Sequence, residues 1–152
     1  MSTTRHNPGL ASTPEATQVS AIRTLGAAMV LTLLGQLLLG MANALWLQLP
    51  ASGSGWSAGA SSGLLMAHLA LGLALLVLAV WILISAVHHH DRNWLLATGF
   101  GVVGIVVAFG SGIAFLSQPS SNGASFLMTV GTAVAIAAYA LGLYQAPAAA
   151  KG

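Results

Sequence analysis

The sequence predicts an all-α membrane protein, built as a bundle of four transmembrane helices. Of its 152 residues, 57% are hydrophobic and only 4% are charged, whereas a soluble domain carries about a quarter charged residues. The segment from Gly63 to Val87 has no formal charge. As a helix it would be about 37 Å long, enough to cross a hydrocarbon core of about 30 Å. One further apolar segment of similar length precedes it and two follow.

The first predicted span covers about residues 24–46 and follows a polar tail. Residues 1–20 are rich in Ser, Thr, Pro and Ala and lack an apolar period, so we expect a disordered cytoplasmic tail. A cleaved signal peptide is the alternative, because Ala42-Asn43-Ala44 resembles a cleavage site. The apolar region is longer than the roughly 7–15 residues of a signal peptide, which favours a retained span.

The other spans are predicted at about residues 63–87, 94–116 and 123–144. A loop of Gly, Ser, Ala and Pro over residues 49–62 precedes the second span, and short polar turns separate the later ones. Turns of this composition are typical connections between helices. The transmembrane domain therefore occupies residues 21–146, and residues 147–152 form a second cytoplasmic tail.

The positive charges indicate the orientation in the membrane. Arg5, Arg23, Arg92 and Lys151 fall on one side of the four-span layout, and the loops on the other side contain no lysine or arginine. Cytoplasmic loops of membrane proteins are enriched in these two residue types. We therefore expect both termini in the cytoplasm.

Small residues at intervals of four predict how the spans pack. Lipid supplies no hydrophobic force between helices, so their association depends on close van der Waals contact. The third span carries Gly104, Ala108 and Gly112, and the fourth carries Gly131 and Ala135. We call these rows of small residues small-residue seams. With the short turns between spans, they predict antiparallel neighbours in a compact bundle.

A short internal similarity suggests two repeated hairpins. Ser-Gly-Leu-Leu-Met opens the second span at residues 62–66, and Ala-Ser-Phe-Leu-Met opens the fourth at residues 124–128. Two hairpins of the same orientation would be related by an axis along the membrane normal. Chance similarity between two apolar helices explains the match equally well.

His68 is the candidate functional residue, because it is the one ionisable group in its span. Ionisable residues inside membranes usually face the bundle interior and mark functional sites. Gly72, one turn later, would leave room for a flat haem b ring beside the imidazole, and Met41 or Met128 lies at a similar depth. Histidine and methionine are a known pair of haem ligands, and His68 with a thioether would also suit Cu(I).

A structural role for His68 is the alternative. A neutral imidazole can donate one hydrogen bond to a neighbouring helix, with Asn43 or Ser125 as the expected partner. No second histidine lies within a predicted span, so the paired histidine ligation of four-helix b-type cytochromes is not available.

Two short motifs carry a family resemblance: His68 with Gly72 four residues later, and Asn-Gly-Ala-Ser-Phe-Leu at residues 122–127. On these motifs the chain resembles a family of small, uncharacterised bacterial four-helix integral membrane proteins. The resemblance covers about residues 24–144 and implies the fold and a bacterial inner membrane, but no reaction. More distantly, the layout is similar to one four-helix half of haem A synthase, from whose paired histidines the single His68 departs.

The sequence contains no combination of residues typical of an enzyme. Its acidic residues, Glu15 and Asp91, lie outside the spans, so no membrane carboxylate can relay protons. There is no phosphate-binding loop, no basic patch for nucleic acid and no cysteine for thiolate metal sites. We expect a non-enzymatic accessory protein that associates in the bilayer with itself or with a larger complex, through its small-residue seams. A haem- or copper-binding protein is the alternative.

Overall fold

In the computed structural model the described residues form five helices, and four of these are long and apolar enough to span a membrane. It describes residues 14–46, 55–89, 92–118 and 121–145, and these ranges contain no strand. The helices are α1 (Pro14–Trp46), α2 (Trp56–Ala60), α3 (Gly63–His89), α4 (Arg92–Ser117) and α5 (Asn122–Gln145). The predicted all-α, four-span architecture is confirmed.

The spans identify a multi-pass membrane protein. They are Arg23–Trp46, Gly63–His88, Arg92–Ser117 and Asn122–Gln145, within two residues of the predicted bounds. Each helix presents large apolar side chains outwards: Leu38, Val77, Phe100 and Phe126 are between 62% and 67% exposed. Such a surface is suited to lipid, because it offers acyl chains no polar group to desolvate.

Two segments that the sequence predicts as irregular are helical. α1 begins at Pro14, so residues 14–20 of the predicted tail belong to a helix. Proline suits a first helical position, because its φ is already fixed and the N–H that it lacks needs no partner there. α2 lies within the predicted loop over residues 49–62. The rest of both predicted tails lies outside the described residues. The ranges concerned are residues 1–13 and 146–152, and residues 47–54, 90–91 and 119–120 are also outside.

The four long helices form a ring, in which α1 and α4 each neighbour α3 and α5. Consecutive long helices run antiparallel, so Arg23 and Arg92 lie at the same end, which we call the arginine end. Trp46, Gly63 and Asn122 lie at the opposite end. α1 continues through residues 42–44 to Trp46 without interruption.

α4 and α5 pack backbone against backbone. A Cβ atom on Gly104 would lie 2.6 Å from the carbonyl oxygen of Gly131 and 2.8 Å from the Ala135 nitrogen. A Cβ atom on Gly131 would lie 2.6 Å from the Gly104 oxygen and 2.7 Å from the Ala108 nitrogen. Only glycine fits at either position, since a main-chain atom cannot move aside as a side chain can. Gly112 is less confined, with Met128 Sδ 3.5 Å from its Cβ position.

Two aromatic side chains fill the half of the bundle near the arginine end. Trp94 and Tyr139 are buried, and glycines on three helices make room for them. The Cβ positions of Gly26 and Gly142 lie 3.1 Å and 3.0 Å from the Trp94 ring, and that of Gly101 lies 2.5 Å from the Tyr139 ring. This half is therefore tightly packed.

Candidate functional site

The half of the bundle away from the arginine end contains a cavity of about 380 Å³. All four long helices contribute to its wall, which is mainly apolar. The volume lies within the range of about 300–1,000 Å³ that is usual for ligand pockets. The polar side chains of the wall are those of Gln36, Asn43, His68, Ser125, Thr129 and Thr132.

One side of the cavity is a reciprocal contact between α1 and α3, formed by Gln36, Gly40, His68 and Gly72, which we call the α1–α3 lock. Gln36 fills the space beside Gly72, where a Cβ atom would lie 3.0 Å from Gln36 Nε2. His68 fills the space beside Gly40, where a Cβ atom would lie 3.1 Å from His68 Cε1. Each polar residue precedes a glycine by one turn on its own helix. Because the helices are antiparallel, each side chain meets the glycine of the other helix.

Hydrogen bonding strengthens the lock. Gln36 Nε2 donates to the main-chain oxygen of His68 over 2.8 Å and lies 3.5 Å from His68 Nε2. The hydrogen bond that the sequence predicts from His68 to Asn43 or Ser125 is not formed. Asn43 lies two turns beyond Gln36 and therefore reaches a different level of α3, with its Nδ2 3.5 Å from the oxygen of Leu64.

Sequence reasoning missed the role of Gln36. A usable indication was present, since Gln36 and Gly40 have the same spacing on α1 as His68 and Gly72 have on α3. On antiparallel helices, two such pairs face each other when Gln36 lies at the same height along the bundle as Gly72. That relative height, however, depends on the connection between α1 and α3 and on the packing of all four helices.

Three wall residues carry buried polar atoms that have no hydrogen-bond partner: Gln36 Oε1, Asn43 Oδ1 and His68 Nδ1. Asn43 is only 8% exposed, and its Nδ2 donates to the oxygen of Leu39 over 3.0 Å. A buried polar atom without a partner costs about 1–3 kcal/mol. The wall therefore has unused hydrogen-bonding capacity. The Tyr139 hydroxyl is also unpartnered, but Tyr139 does not line the cavity.

The four residues of the predicted haem site line this one cavity: Met41, His68, Gly72 and Met128. Their arrangement does not fit a haem. The Cε1 edge of the imidazole, with a nitrogen on each side, faces Gly40 on α1, and the space beside Gly72 is occupied by Gln36 and by Phe109 at 3.6 Å. No group of three or more His, Cys, Asp or Glu comes together within the described ranges.

The cavity opens towards lipid and is covered at the end opposite the arginines. Met41, Ala44 and Thr129 belong to the wall and are also exposed, so the opening lies between α1 and α5. At the other side of this end, α2 packs on the wall: the Cβ position of Gly59 lies 2.5 Å from Leu65. The Gly55 N–H just before α2 donates to the Leu116 oxygen over 2.8 Å.

Comparisons with protein-family models, with curated proteins and with solved structures find no match for this chain. The use of the cavity therefore has to follow from its own chemistry. Its wall carries amide, imidazole and hydroxyl groups among apolar side chains, and the described residues that form it include no Lys, Arg, Asp or Glu. Such a wall can hold a neutral molecule by hydrogen bonds and apolar contact.

Proposed function

We propose that this protein is a non-enzymatic accessory protein of a bacterial cytoplasmic-membrane complex, and that it works by binding a neutral molecule inside its helix bundle. The observation that supports this most directly is the cavity among the four long helices. A mainly apolar pocket with a few convergent polar groups is the usual form of a small-molecule site. Gln36 and Asn43 line the cavity and carry unpartnered polar atoms, which a turn of the side chain would present to such a molecule.

The chemistry of the wall favours binding over conversion. Acyl transfer and hydrolysis need an activated nucleophile with a positioned base, and two of the three wall hydroxyls, those of Thr129 and Thr132, already donate within their own helix. Thr129 Oγ1 donates to the Ser125 oxygen over 3.1 Å, and Thr132 Oγ1 donates to the Met128 oxygen over 2.9 Å. His68 lies against α1 and therefore does not act as a base on these hydroxyls.

A haem- or copper-binding protein is the alternative use of the same residues. The gathering of His68, Met41 and Met128 around one cavity supports it, and the packing of the imidazole against Gly40 opposes it. Haem binding would require His68 to leave the α1–α3 lock. An absorption spectrum distinguishes the two proposals.

The proposed orientation has both termini in the cytoplasm, supported by Arg23 and Arg92 at one end of the bundle. The chain has no cysteine, so single cysteines report accessibility without background. We expect a membrane-impermeant maleimide to label Gln118→Cys in spheroplasts, and to label Gln145→Cys only after the membrane is permeabilised. The reverse pattern would contradict this orientation.

Association with itself or with a larger complex is also proposed. Because Gly104 and Gly131 are in contact within the bundle, the partner would bind another face. The mass of the particle extracted in a mild detergent tests this proposal. A particle containing one chain and no other protein would contradict it.

The test of the binding function compares two glycine substitutions on α4. Gly112 lines the cavity, whereas Gly110 has nothing within 4 Å of its Cβ position. We expect solvent extracts of the purified wild type and of Gly110→Leu to contain the same near-stoichiometric small molecule, identified by mass spectrometry. Gly112→Leu should fold and lose it, because the leucine side chain would occupy part of the cavity beside Met128. Equal retention by both variants, or no bound molecule in the wild type, would overturn the proposal.

A further inference from the structure

We propose that the cavity takes a neutral, hydroxyl-headed lipid, whose hydroxyl donates a hydrogen bond to Asn43 and whose apolar tail runs into the bundle. This inference rests on the proposed function, because it assumes that the cavity binds a molecule at all. It adds the chemical class of that molecule, its anchoring residue and its route from the bilayer.

The charge of the wall excludes ionic head groups. No Lys, Arg, Asp or Glu occurs among the cavity-lining residues within the described part of the chain, and transferring an unpaired ion into an apolar environment is far more costly than transferring a hydroxyl. A phosphate or carboxylate would find no permanently charged cation among these residues, since the one ionisable side chain, His68, packs against Gly40 of α1, and an ammonium group would find no anion. The polar part of the ligand is therefore uncharged.

Asn43 determines which hydrogen-bonding group the polar part of the ligand carries. Its Nδ2 is engaged by the Leu39 oxygen, and its Oδ1 is buried without a partner. A carbonyl oxygen only accepts, so the missing partner is a donor, and a hydroxyl is the common neutral donor among membrane lipids. Oδ1 is covered by its neighbours, so binding requires the amide to turn about its last torsion, which is broad for asparagine, by an angle small enough to keep Nδ2 on the Leu39 oxygen.

The position of Asn43 also orients the ligand. It lies three residues before the end of α1 at Trp46, about one helical turn from the membrane surface, where lipid hydroxyls reside. The deepest part of the cavity is apolar, with Leu33, Leu75 and Ile105 at most 5% exposed. A tail directed inwards would meet these side chains.

The opening between α1 and α5 supplies the route. Met41, Ala44 and Thr129 are both wall residues and exposed residues, so a lipid can enter sideways. Packing of α2 against Leu65 and Leu116 obstructs access from the water at the same end. The ligand would therefore come from the lipid phase.

The experiment uses the full chain in nanodiscs and a decan-1-ol that carries a photoactivatable diazirine in its tail. Decan-1-ol and methyl decyl ether are the competitors, since they share an apolar body but only the alcohol donates a hydrogen bond. We expect cross-links on α1 and α5, and competition about tenfold stronger for the alcohol, as one lost hydrogen bond to a buried acceptor implies.

Two pairs of variants make the result specific. Asn43→Leu should retain cross-linking but lose the preference for the alcohol. Asn122 is an exposed amide outside the wall, so Asn122→Leu should keep the preference for the alcohol. Gly112→Leu should abolish cross-linking that Gly110→Leu preserves, which covers the case in which Asn43→Leu does not fold. Equal competition by alcohol and ether would overturn the hydroxyl-headed class while leaving a binding cavity. Cross-linking that is absent, or unchanged in Gly112→Leu, would overturn the proposed function as well.

Discussion

The contacts α4–α5 and α1–α3 both join antiparallel helices through glycine, but they differ in what each glycine faces. In α4–α5, glycine faces glycine and main-chain atoms touch, with 2.6 Å between the Gly104 oxygen and the Cβ position of Gly131. In α1–α3, each glycine faces a polar side chain, Gln36 or His68. Small residues on both helices remove the space between them, whereas side chains inserted from both helices hold them apart. The cavity lies beside the second kind of contact.

The two contacts differ in how easily their atoms can move. A main-chain carbonyl within a helix cannot move without breaking the helix, but an imidazole or an amide can change its rotamer. The wall formed by α4 and α5 is therefore rigid, and the wall formed by α1 and α3 can adjust. A ligand site needs both properties if it is to open and still hold its ligand.

The largest expected effect comes from adding one methyl group to the rigid contact. In Gly131→Ala the new Cβ would meet the Gly104 oxygen at 2.6 Å and the Ala108 nitrogen at 2.7 Å. We expect a loss of about 3 kcal/mol in the free energy of unfolding, the upper end for overpacking, measured by reversible unfolding in mixed micelles. Gly110→Ala, with open space around it, should lose nothing. Equal stability of the two variants would show that α4 and α5 are further apart.

The same substitution in the adjustable contact should cost less. In Gly40→Ala the new Cβ would lie 3.1 Å from His68 Cε1, and the imidazole can move by a few tenths of an ångström. We expect a loss of about 1 kcal/mol, the lower end for overpacking, in the same unfolding measurement. A loss as large as that of Gly131→Ala would mean that His68 is held as rigidly as a main-chain atom.

Removing the hydrogen bond of the lock should have a still smaller effect. Gln36→Leu loses the donation to the His68 oxygen at 2.8 Å, and hydrogen bonds between membrane helices average about 0.6 kcal/mol. Thr32→Val is the control, because Thr32 Oγ1 donates to Ala28 within its own helix. Removal of the buried, unpartnered Gln36 Oε1 acts in the opposite direction, because an unsatisfied polar atom destabilises the folded state. We therefore expect the free energy of unfolding to change by less than about 1 kcal/mol in Gln36→Leu and to stay unchanged in Thr32→Val. A larger fall in Gln36→Leu alone would show that the hydrogen bond contributes more than this.

An effect of the opposite sign is expected at Tyr139, in the filled half of the bundle. Its hydroxyl is buried without a partner, so Tyr139→Phe removes an unsatisfied group and keeps the ring against Gly101. We expect the free energy of unfolding to stay the same or to rise by up to about 1 kcal/mol. A loss greater than this would reveal a hydrogen bond to the hydroxyl.

The architecture was predictable because span length and hydropathy depend on local sequence alone. The α1–α3 lock was not, since it depends on the relative heights of two helices. The spacing of His68 and Gly72 predicts space beside the imidazole. What fills that space is a side chain from α1, which no feature of α3 specifies.

The internal similarity between residues 62–66 and 124–128 also fails to predict which side chains line the cavity. Its alignment pairs His68 with Val130, yet Val130 is an exposed residue and His68 belongs to the cavity wall. It also pairs Met66, an exposed residue, with Met128 of the wall. Five similar residues therefore do not place equivalent helix faces in equivalent surroundings.

The measurement that tests the account most directly is the absorption spectrum of the purified protein, oxidised and then reduced with dithionite. Because His68 packs in the α1–α3 lock, beside a cavity for a neutral molecule, we expect a folded protein without a Soret band, even from cells supplied with a haem precursor. A Soret band and an α-band at near-stoichiometric haem, both lost in His68→Ala, would contradict it and make His68 an axial ligand.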